Sequence, residues 1–228
     1  MKQQNIFLLF GASGKLGKVA SYFFLNHQYD YFYFFSRKKI NLDSSKNNFE
    51  NILTKDLIIE ENVIEAFSKV KLNKRANYFL LSTIGAYYGG RTISQIEFSN
   101  WKDQLEVNLN IPFLIAKHFS RFVTEAQGGS ICFISAQSSL IPESNRSAYN
   151  VSKNALNFLV KTLAIEGKEI NLTANAVAPY VIESKENKKW IKDKTLMIKP
   201  EDICKVVLSI FKNYKVTTGN IIELPRTL

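Results

Sequence analysis

Cysteine and histidine are scarce in this 228-residue chain, two of each, and the scarcity narrows what the protein can do. Cys132 and Cys204 lie in apolar segments without ligand spacing, so they read as buried, reduced core residues. His27 and His118 are isolated, which leaves zinc without a donor set, and no metal is expected. No apolar run reaches the roughly 20 residues that a membrane-crossing helix needs. The opening Met1-Lys-Gln-Gln-Asn-Ile-Phe7 passes straight into a short apolar run with no cleavage-like site, so no signal peptide is expected. The expectation is a cytoplasmic protein without a membrane partner. Internal repeats, low-complexity tracts and linker-like composition are also missing, and residues 1–228 read as one domain.

Charge is present in excess, at a formal +10. Such a surplus raises nucleic acid as a partner. The lysines are scattered among acids, however, and the densest stretch, Lys185 to Lys199, also carries Glu186 and Asp193. Lys, Asn, Ile, Phe and Tyr are all abundant, as in a chain of biased composition. No nucleic-acid partner is expected, and the basic surface suits an anionic cofactor or substrate equally well.

The apolar pattern alternates between two periods. Ile6 to Phe10 is a short buried strand, and Gly14 to Asn26 follows with helical spacing. Further strands are expected at Tyr31 to Phe35, Asn51 to Thr54, Tyr78 to Thr83, Ser130 to Ser135, Leu172 to Val177 and Asn220 to Leu224. Helices are expected at Glu60 to Val70, Phe98 to Thr124, Tyr149 to Gly167 and Pro200 to Tyr214. Alternation of this kind predicts an α/β fold: one doubly wound, Rossmann-like parallel sheet of about seven strands with helices on both faces. The polar stretch 183–199 reads as a lid bordering the substrate side.

Gly11-Ala-Ser-Gly-Lys-Leu-Gly17 joins the first strand to the first helix. Glycines there permit a tight turn and close backbone approach, and free amides at a helix start face an anion such as a pyrophosphate. In that position the string points to a dinucleotide, against the simpler reading of a plain strand–helix turn. An acidic residue at the end of strand two would bond the ribose hydroxyls of NAD. The chain has Ser36-Arg-Lys-Lys39 there instead. Arg37, helped by Lys15, would pair with a 2′-phosphate, so NADP(H) is expected over NAD(H); a solvated basic turn is the plainer alternative.

Tyr149 and Lys153 stand four apart at the start of a helix and so share one face. A lysine beside a phenol favours the phenolate and lowers its pKa from about 10, giving a proton donor or acceptor near neutrality. Pro112 lies inside the long helix and has no amide hydrogen for the carbonyl of Asn108, so a kink with a free carbonyl is expected there.

With loop, strand and Tyr-x-x-x-Lys in this order, the chain resembles the short-chain dehydrogenase/reductase family over nearly its whole length. Phe10-Gly-Ala-Ser-Gly-Lys-Leu-Gly17 stands where that family has its glycine-rich cofactor loop, with spacing more like its atypical and extended members. Asp56-Leu57 resembles the pair that contacts adenine. Ser82-Thr-Ile-Gly85 takes the place of an Asn-Asn-Ala-Gly strand end, and Val107-Asn-Leu-Asn-Ile-Pro-Phe113 resembles the helix with the catalytic asparagine, here Asn108. Asn175-Ala-Val-Ala-Pro-Tyr180 is similar to the family's Asn-x-x-x-Pro-Gly segment, and Thr218-Gly-Asn-Ile-Ile222 to its closing strand.

The resemblance implies cofactor contacts from Gly11, Ser13, Gly14, Lys15, Leu16, Gly17, Ser36, Arg37, Asp56, Leu57, Thr83, Ile84, Gly85, Tyr149, Lys153, Pro179, Ile182 and Ser184. It implies Tyr149 as acid/base, Lys153 as its modulator and ribose ligand, and Asn108 as anchor of a relay water. The family's catalytic serine falls on Ala136, which has no hydroxyl. Ser135 would point to the opposite face of an extended chain, whereas Ser138, two residues on, would share the face of Ala136 and is the expected substitute. The substrate pocket is expected from Tyr87, Tyr88, Gln137, Ser138, Ile141, Tyr180 and segment 183–199.

The leading expectation is an NADP(H)-dependent oxidoreductase acting on a small carbonyl or alcohol. A catalytically weak or inactive NADP(H)-binding sensor or scaffold is the alternative, motivated by Ala136 and by the altered Ser82-Thr83 and Tyr180. A nucleotide-sugar epimerase would need a larger carboxy-terminal domain than the about fifty residues after Pro179 provide. The family commonly assembles through its two long helices, so a homodimer or homotetramer is expected, with Phe119, Phe122 and Phe158 as candidate contacts or, equally, as core residues.

Overall fold

The computed structural model describes residues 3–42, 48–189 and 191–225. Seven strands form one parallel sheet in the order β3-β2-β1-β4-β5-β6-β9. They are β1 (Gln4–Phe10), β2 (Tyr31–Ser36), β3 (Phe49–Leu53), β4 (Ala76–Ser82), β5 (Gly128–Ile134), β6 (Leu172–Pro179) and β9 (Ile221–Leu224). The helices are α1 (Lys15–Leu25), α2 (Glu60–Ser68), α3 (Phe98–Leu105), α4 (Ile111–Val123), α5 (Ser147–Glu166) and α6 (Pro200–Lys212).

The near-continuous apolar strands follow from burial on both faces. Alternate residues of β1 enter different cores. Ile6, Leu8 and Phe10 pack with Val63 and Phe67 of α2, Ile115 and Phe119 of α4, and Leu156 and Val160 of α5. Phe7 and Leu9 pack with Leu16 and Phe24 of α1 and Ile203, Val207 and Phe211 of α6. Phenylalanine fills both layers: Phe10 stacks on Phe35 at 4.1 Å and Phe7 on Phe24 at 4.3 Å between ring centroids.

Strand order reverses between β1 and β4, which opens a crevice at their carboxyl ends. Several local expectations need correction. The long helix around Pro112 is not one kinked α-helix. A π-helical turn, Glu106–Asn110, separates α3 from α4, with the Ile111 amide bonding the Glu106 carbonyl. Such a turn widens the helix just where Pro112, with no amide to give, cannot serve the ordinary ladder. A second small sheet pairs β7 (Val181–Ile182) with β8 (Met197–Ile198). It ties both ends of segment 183–199 to the domain, with short 3-10 turns at Asn187–Lys189 and Lys194–Leu196 between; Trp190 lies outside the described residues.

Phe119 is fully buried core, and Phe122 packs edge-on to Tyr78 at 4.8 Å, so neither is an outward contact. Phe158 does face outward, 72% exposed. Cys132 and Cys204 are free and buried. His118 Nε2 lies 2.7 Å from Glu60 Oε1, pinning α4 to α2. No helix among the described residues is long and apolar enough to cross a membrane.

Candidate active site

The turn after β1 is held by two amides, Gly11 and Ala12, that both donate to the Phe35 carbonyl at 3.0 Å. Gly11 has φ +85, and a Cβ there would stand 2.7 Å from Thr83 Oγ1. A Cβ on Gly17 would stand 2.0 Å from the Gly11 carbonyl oxygen. Both glycines are therefore required by space, and Gly11 by backbone conformation as well. Gly14 is the cap residue of α1 and brings no side chain to the first amides of Lys15, Leu16 and Gly17. An anion fits such an end.

Across the crevice, Thr83 Oγ1 donates to the Phe10 carbonyl at 3.0 Å, tying the end of β4 to this loop. Asn108 is fully buried in the π turn. Its Oδ1 accepts the Ala86 amide at 3.0 Å and its Nδ2 donates to the Ala86 carbonyl at 2.9 Å. Nδ2 also lies 3.1 Å from Ser152 Oγ and 3.2 Å from Gln104 Oε1. The asparagine thus fixes the segment Gly85–Ala86 beside α5. Gly85 leaves room for this: its Cβ would sit 3.0 Å from Lys153 Nζ and 3.2 Å from Asn108 Oδ1.

Tyr149 and Lys153 follow one turn apart on α5 and line a common cavity of about 250 Å³. Leu16, Thr83, Ile84, Gly85, Ser138, Pro179 and Ile182 line it too. Lys153 is 3% exposed and donates from Nζ to the Ile134 carbonyl at 2.8 Å. Burial draws its ammonium down to about 8. Burial pushes the Tyr149 phenol well above its usual value; nearby Tyr87 adds to this and Arg146 opposes it. The expected lowering of Tyr149 by Lys153 is therefore corrected: desolvation outweighs the other influences, and the Lys153 ammonium donates to the Ile134 carbonyl.

Backbone geometry treats the two candidate serines differently. Ser135 Oγ donates to Asn157 Oδ1 at 2.6 Å and lies 3.2 Å from Ser139 Oγ, so its hydroxyl is spent on α5. Ala136 is buried, and after it the chain tightens into a 3-10 turn, Gln137–Ser139. That turn brings Ser138 to the cavity, where its hydroxyl makes no hydrogen bond among the described residues.

Other expected ligands lie outside this cavity. Lys15 Nζ pairs with Glu186 Oε2 at 2.6 Å, linking the glycine loop to segment 183–199. Ser13 borders a separate cleft with Lys18, Lys38 and Lys39, on the α1 side of the loop. Ser36 Oγ donates to the Lys38 carbonyl at 2.6 Å, and Arg37 is exposed at the end of β2. Asp56 Oδ1 accepts the Ile58 amide at 3.1 Å, and Leu57 is core. Ser184 Oγ accepts the Asn187 amide at 3.1 Å.

Of the expected substrate-side residues, Tyr87, Ser138 and Tyr180 line the cavity, joined by Asn187 from segment 183–199. Gln137 instead donates to Glu223 Oε1 at 2.7 Å, Tyr88 receives a long 3.4 Å bond from Asn100, and Ile141 is 60% exposed. Arg146 lines the cavity and was missed by the sequence reading. Its place three residues before Tyr149, in the turn preceding α5, was the only available signal.

Comparison with known proteins places this geometry in a lineage. The human "Dehydrogenase/reductase SDR family member 4" is 31% identical over 139 residues, 55% of this chain and 49% of that protein. "Galactitol 2-dehydrogenase" of Rhizobium johnstonii is 28% identical over 161 residues, 64% of this chain and 62% of that protein. The chain spans between about half and less than two thirds of the length of these curated relatives. The solved structure described as "ElxO with NADP Bound" shares the fold with a TM-score of 0.86 at 19% identity, covering 96% of each chain. That of a "4-hydroxyisoleucine dehydrogenase mutant complexed with NADH and succinate" gives 0.82 at 20% identity, again covering 96% of each. The sequence model of the family described as short chain dehydrogenase matches residues 5–195, and the chain belongs to that family.

Proposed function

We propose that the protein is an NADP(H)-dependent oxidoreductase interconverting a small carbonyl compound and its alcohol, with Tyr149 as acid/base. One observation carries the reading. Tyr149 and Lys153 face the same cavity as Leu16 of the glycine loop and Thr83–Gly85 at the end of β4, where strand order reverses. The residues fit a dinucleotide: the Gly11, Gly14 and Gly17 turn leaves backbone amides uncapped, and Gly85 keeps the floor beside Lys153 open.

When bound, the nicotinamide supplies or takes up the hydride at the substrate carbon. Tyr149 gives or takes the proton at the substrate oxygen. Its raised pKa keeps the phenol protonated at neutral pH, which suits donation to a carbonyl. Ser138 offers its free hydroxyl to the same oxygen. Lys153 holds the nicotinamide ribose, and Asn108 keeps the Gly85–Ala86 segment in place and anchors a relay water at the π turn. Pro179 and Ile182 border the nicotinamide side, and segment 183–199 acts as lid over a single domain. The exposed Arg37-Lys-Lys39 run favours NADP(H) over NAD(H); of the two solved neighbours, one has NADP and the other NADH in its name. A homodimer or homotetramer is the proposed assembly.

The test is Tyr149→Phe with an aldehyde and ketone panel. The variant should lose about 10²–10⁴-fold in kcat while NADPH affinity stays within about twofold, and NADH should bind more weakly than NADPH. Unchanged turnover removes Tyr149 from the chemistry. Ala136 favours a second reading, a cofactor-binding sensor, which predicts NADPH binding with no Tyr149-dependent oxidation on any member of the panel.

A further inference from the structure

The cavity's charge inventory is one-sided. Among its lining residues Lys153 and Arg146 are cationic, and no aspartate or glutamate is present. Lys153 gives one of its three donors to the Ile134 carbonyl and is assigned to the ribose, so Arg146 is the charge left for the substrate. Arg146 is held from two directions. Its Nη1 lies 2.9 Å from Glu143 Oε2, and its guanidinium carbon sits 5.7 Å from the centroid of the Tyr87 ring. Tyr87 in turn meets Tyr149 edge-on, with centroids 5.1 Å apart. Tyr87 thus neighbours both the guanidinium and the proposed acid, and the Arg146 charge opposes the rise of the Tyr149 pKa.

A guanidinium carries five N–H donors, and here one nitrogen is engaged by Glu143 while the others find no acceptor among the described residues. Its planar fork matches a carboxylate in bidentate fashion. The cavity of about 250 Å³ is shared with the cofactor-side residues Leu16 and Thr83–Gly85, so the carboxylate end of a ligand lies on the Tyr87 and Arg146 side.

We propose that Arg146 is a specificity-determining residue that receives a carboxylate of the substrate, so that the site acts on a small oxo or hydroxy carboxylic acid. This rests on the redox reading above, with NADPH as the reductant and Tyr149 as the proton source. The substrate's reacting oxygen meets Tyr149 and Ser138, and its carboxylate lies across Tyr87 against Arg146. Glu143 competes for the same guanidinium and so tempers the affinity. A site that offers a partly buried guanidinium fork to a carboxylate rejects the neutral analogue more strongly than one that merely fits its shape.

The experiment sets 2-, 3- and 4-oxo acids of four to six carbons beside their methyl esters, with NADPH and the full chain. At least one acid should exceed its ester in kcat/KM by about 100-fold. Arg146→Met should bring that ratio close to one, chiefly through KM, and Arg146→Lys should restore part of it. Glu143→Gln, which releases the guanidinium, should lower KM for the acid and not for the ester, a gain that misfolding cannot produce. Esters used as well as acids, or both members of a pair losing equally in Arg146→Met, would overturn the proposal. Calorimetric titration with butanoate and succinate separates the two readings. Carboxylate binding that disappears in Arg146→Met upholds the role of Arg146 even if no substrate turns over, in which case the redox reading is what fails. Absence of carboxylate binding to the wild type sinks the proposal.

Discussion

Lys153 shows how one side chain couples the site to folding. It is 3% exposed, its ammonium meets the Ile134 carbonyl, and burial places its pKa at about 8 against an ordinary 10.5. The folded pKa lies below the unfolded one. Below pH 8 both states carry the proton, and the folded protein bears a buried charge. Between about 8 and 10.5 the unfolded chain retains a proton that the folded protein has released, so stability rises with pH through that window. The rise is on the order of 3 kcal/mol when complete. Lys153→Met should lack it: urea midpoints at pH 7.5 and 10 should move upward in the wild type relative to the variant. Parallel midpoints would mean that Lys153 stays charged across the range. At this scale the sequence was readable where chemistry depends on local spacing. Tyr149 and Lys153 share a helix face by being four apart, and the glycines announce a turn. Alternation along an extended chain points to Ser138, yet it reaches the cavity because residues 137–139 coil into a 3-10 turn. Arg146 escaped notice because its direction depends on Glu143 and Tyr87, the latter from a different loop.

Among the elements, the join of α3 and α4 matters most to the site. Pro112 pointed to a broken hydrogen-bond ladder, and the break takes the form of a π turn that carries Asn108 to the end of β4. A proline's missing donor can be read from sequence, but which neighbouring carbonyls re-pair depends on the packing of α5 behind it. The pairing of β7 with β8 left no pattern at all, since two residues cannot show a period. Gly85 tests how tightly these elements close. A methyl there would approach Lys153 Nζ to 3.0 Å and Asn108 Oδ1 to 3.2 Å, and both atoms are already held by hydrogen bonds. Gly85→Ala should therefore destabilise the fold by about 1–3 kcal/mol, as overpacking of a close-packed site does, and should weaken NADPH binding. Urea unfolding and a fluorescence titration measure the two effects. A wild-type midpoint would show that Lys153 swings aside freely and that its bond to Ile134 is not a constraint.

Over the whole molecule, the alternation of apolar runs was enough to predict a doubly wound parallel sheet, since only burial on both faces explains strands such as Phe32 to Phe35. Strand order came only with the structure, because sequence patterns do not record which edge each strand joins. The outer surface raises a question of assembly. Val151, Phe158 and Ile165 recur every seven residues along α5 and are 45%, 72% and 68% exposed. Spacing of seven keeps them on one side of the helix, where they form an apolar stripe facing solvent. Phe119 and Phe122, by contrast, belong to the core, so the stripe owes nothing to them. Burial of the stripe against the same stripe of a second copy would satisfy all three side chains by a two-fold axis. Phe158→Glu places a charge at the middle of that contact. Its side chain is largely free of its own domain, so the fold should be retained, with an unchanged far-UV circular dichroism spectrum. Sedimentation equilibrium should then find a monomer where the wild type is a dimer, or a dimer where it is a tetramer, and a wild type that is itself monomeric at tens of micromolar would refute the assembly.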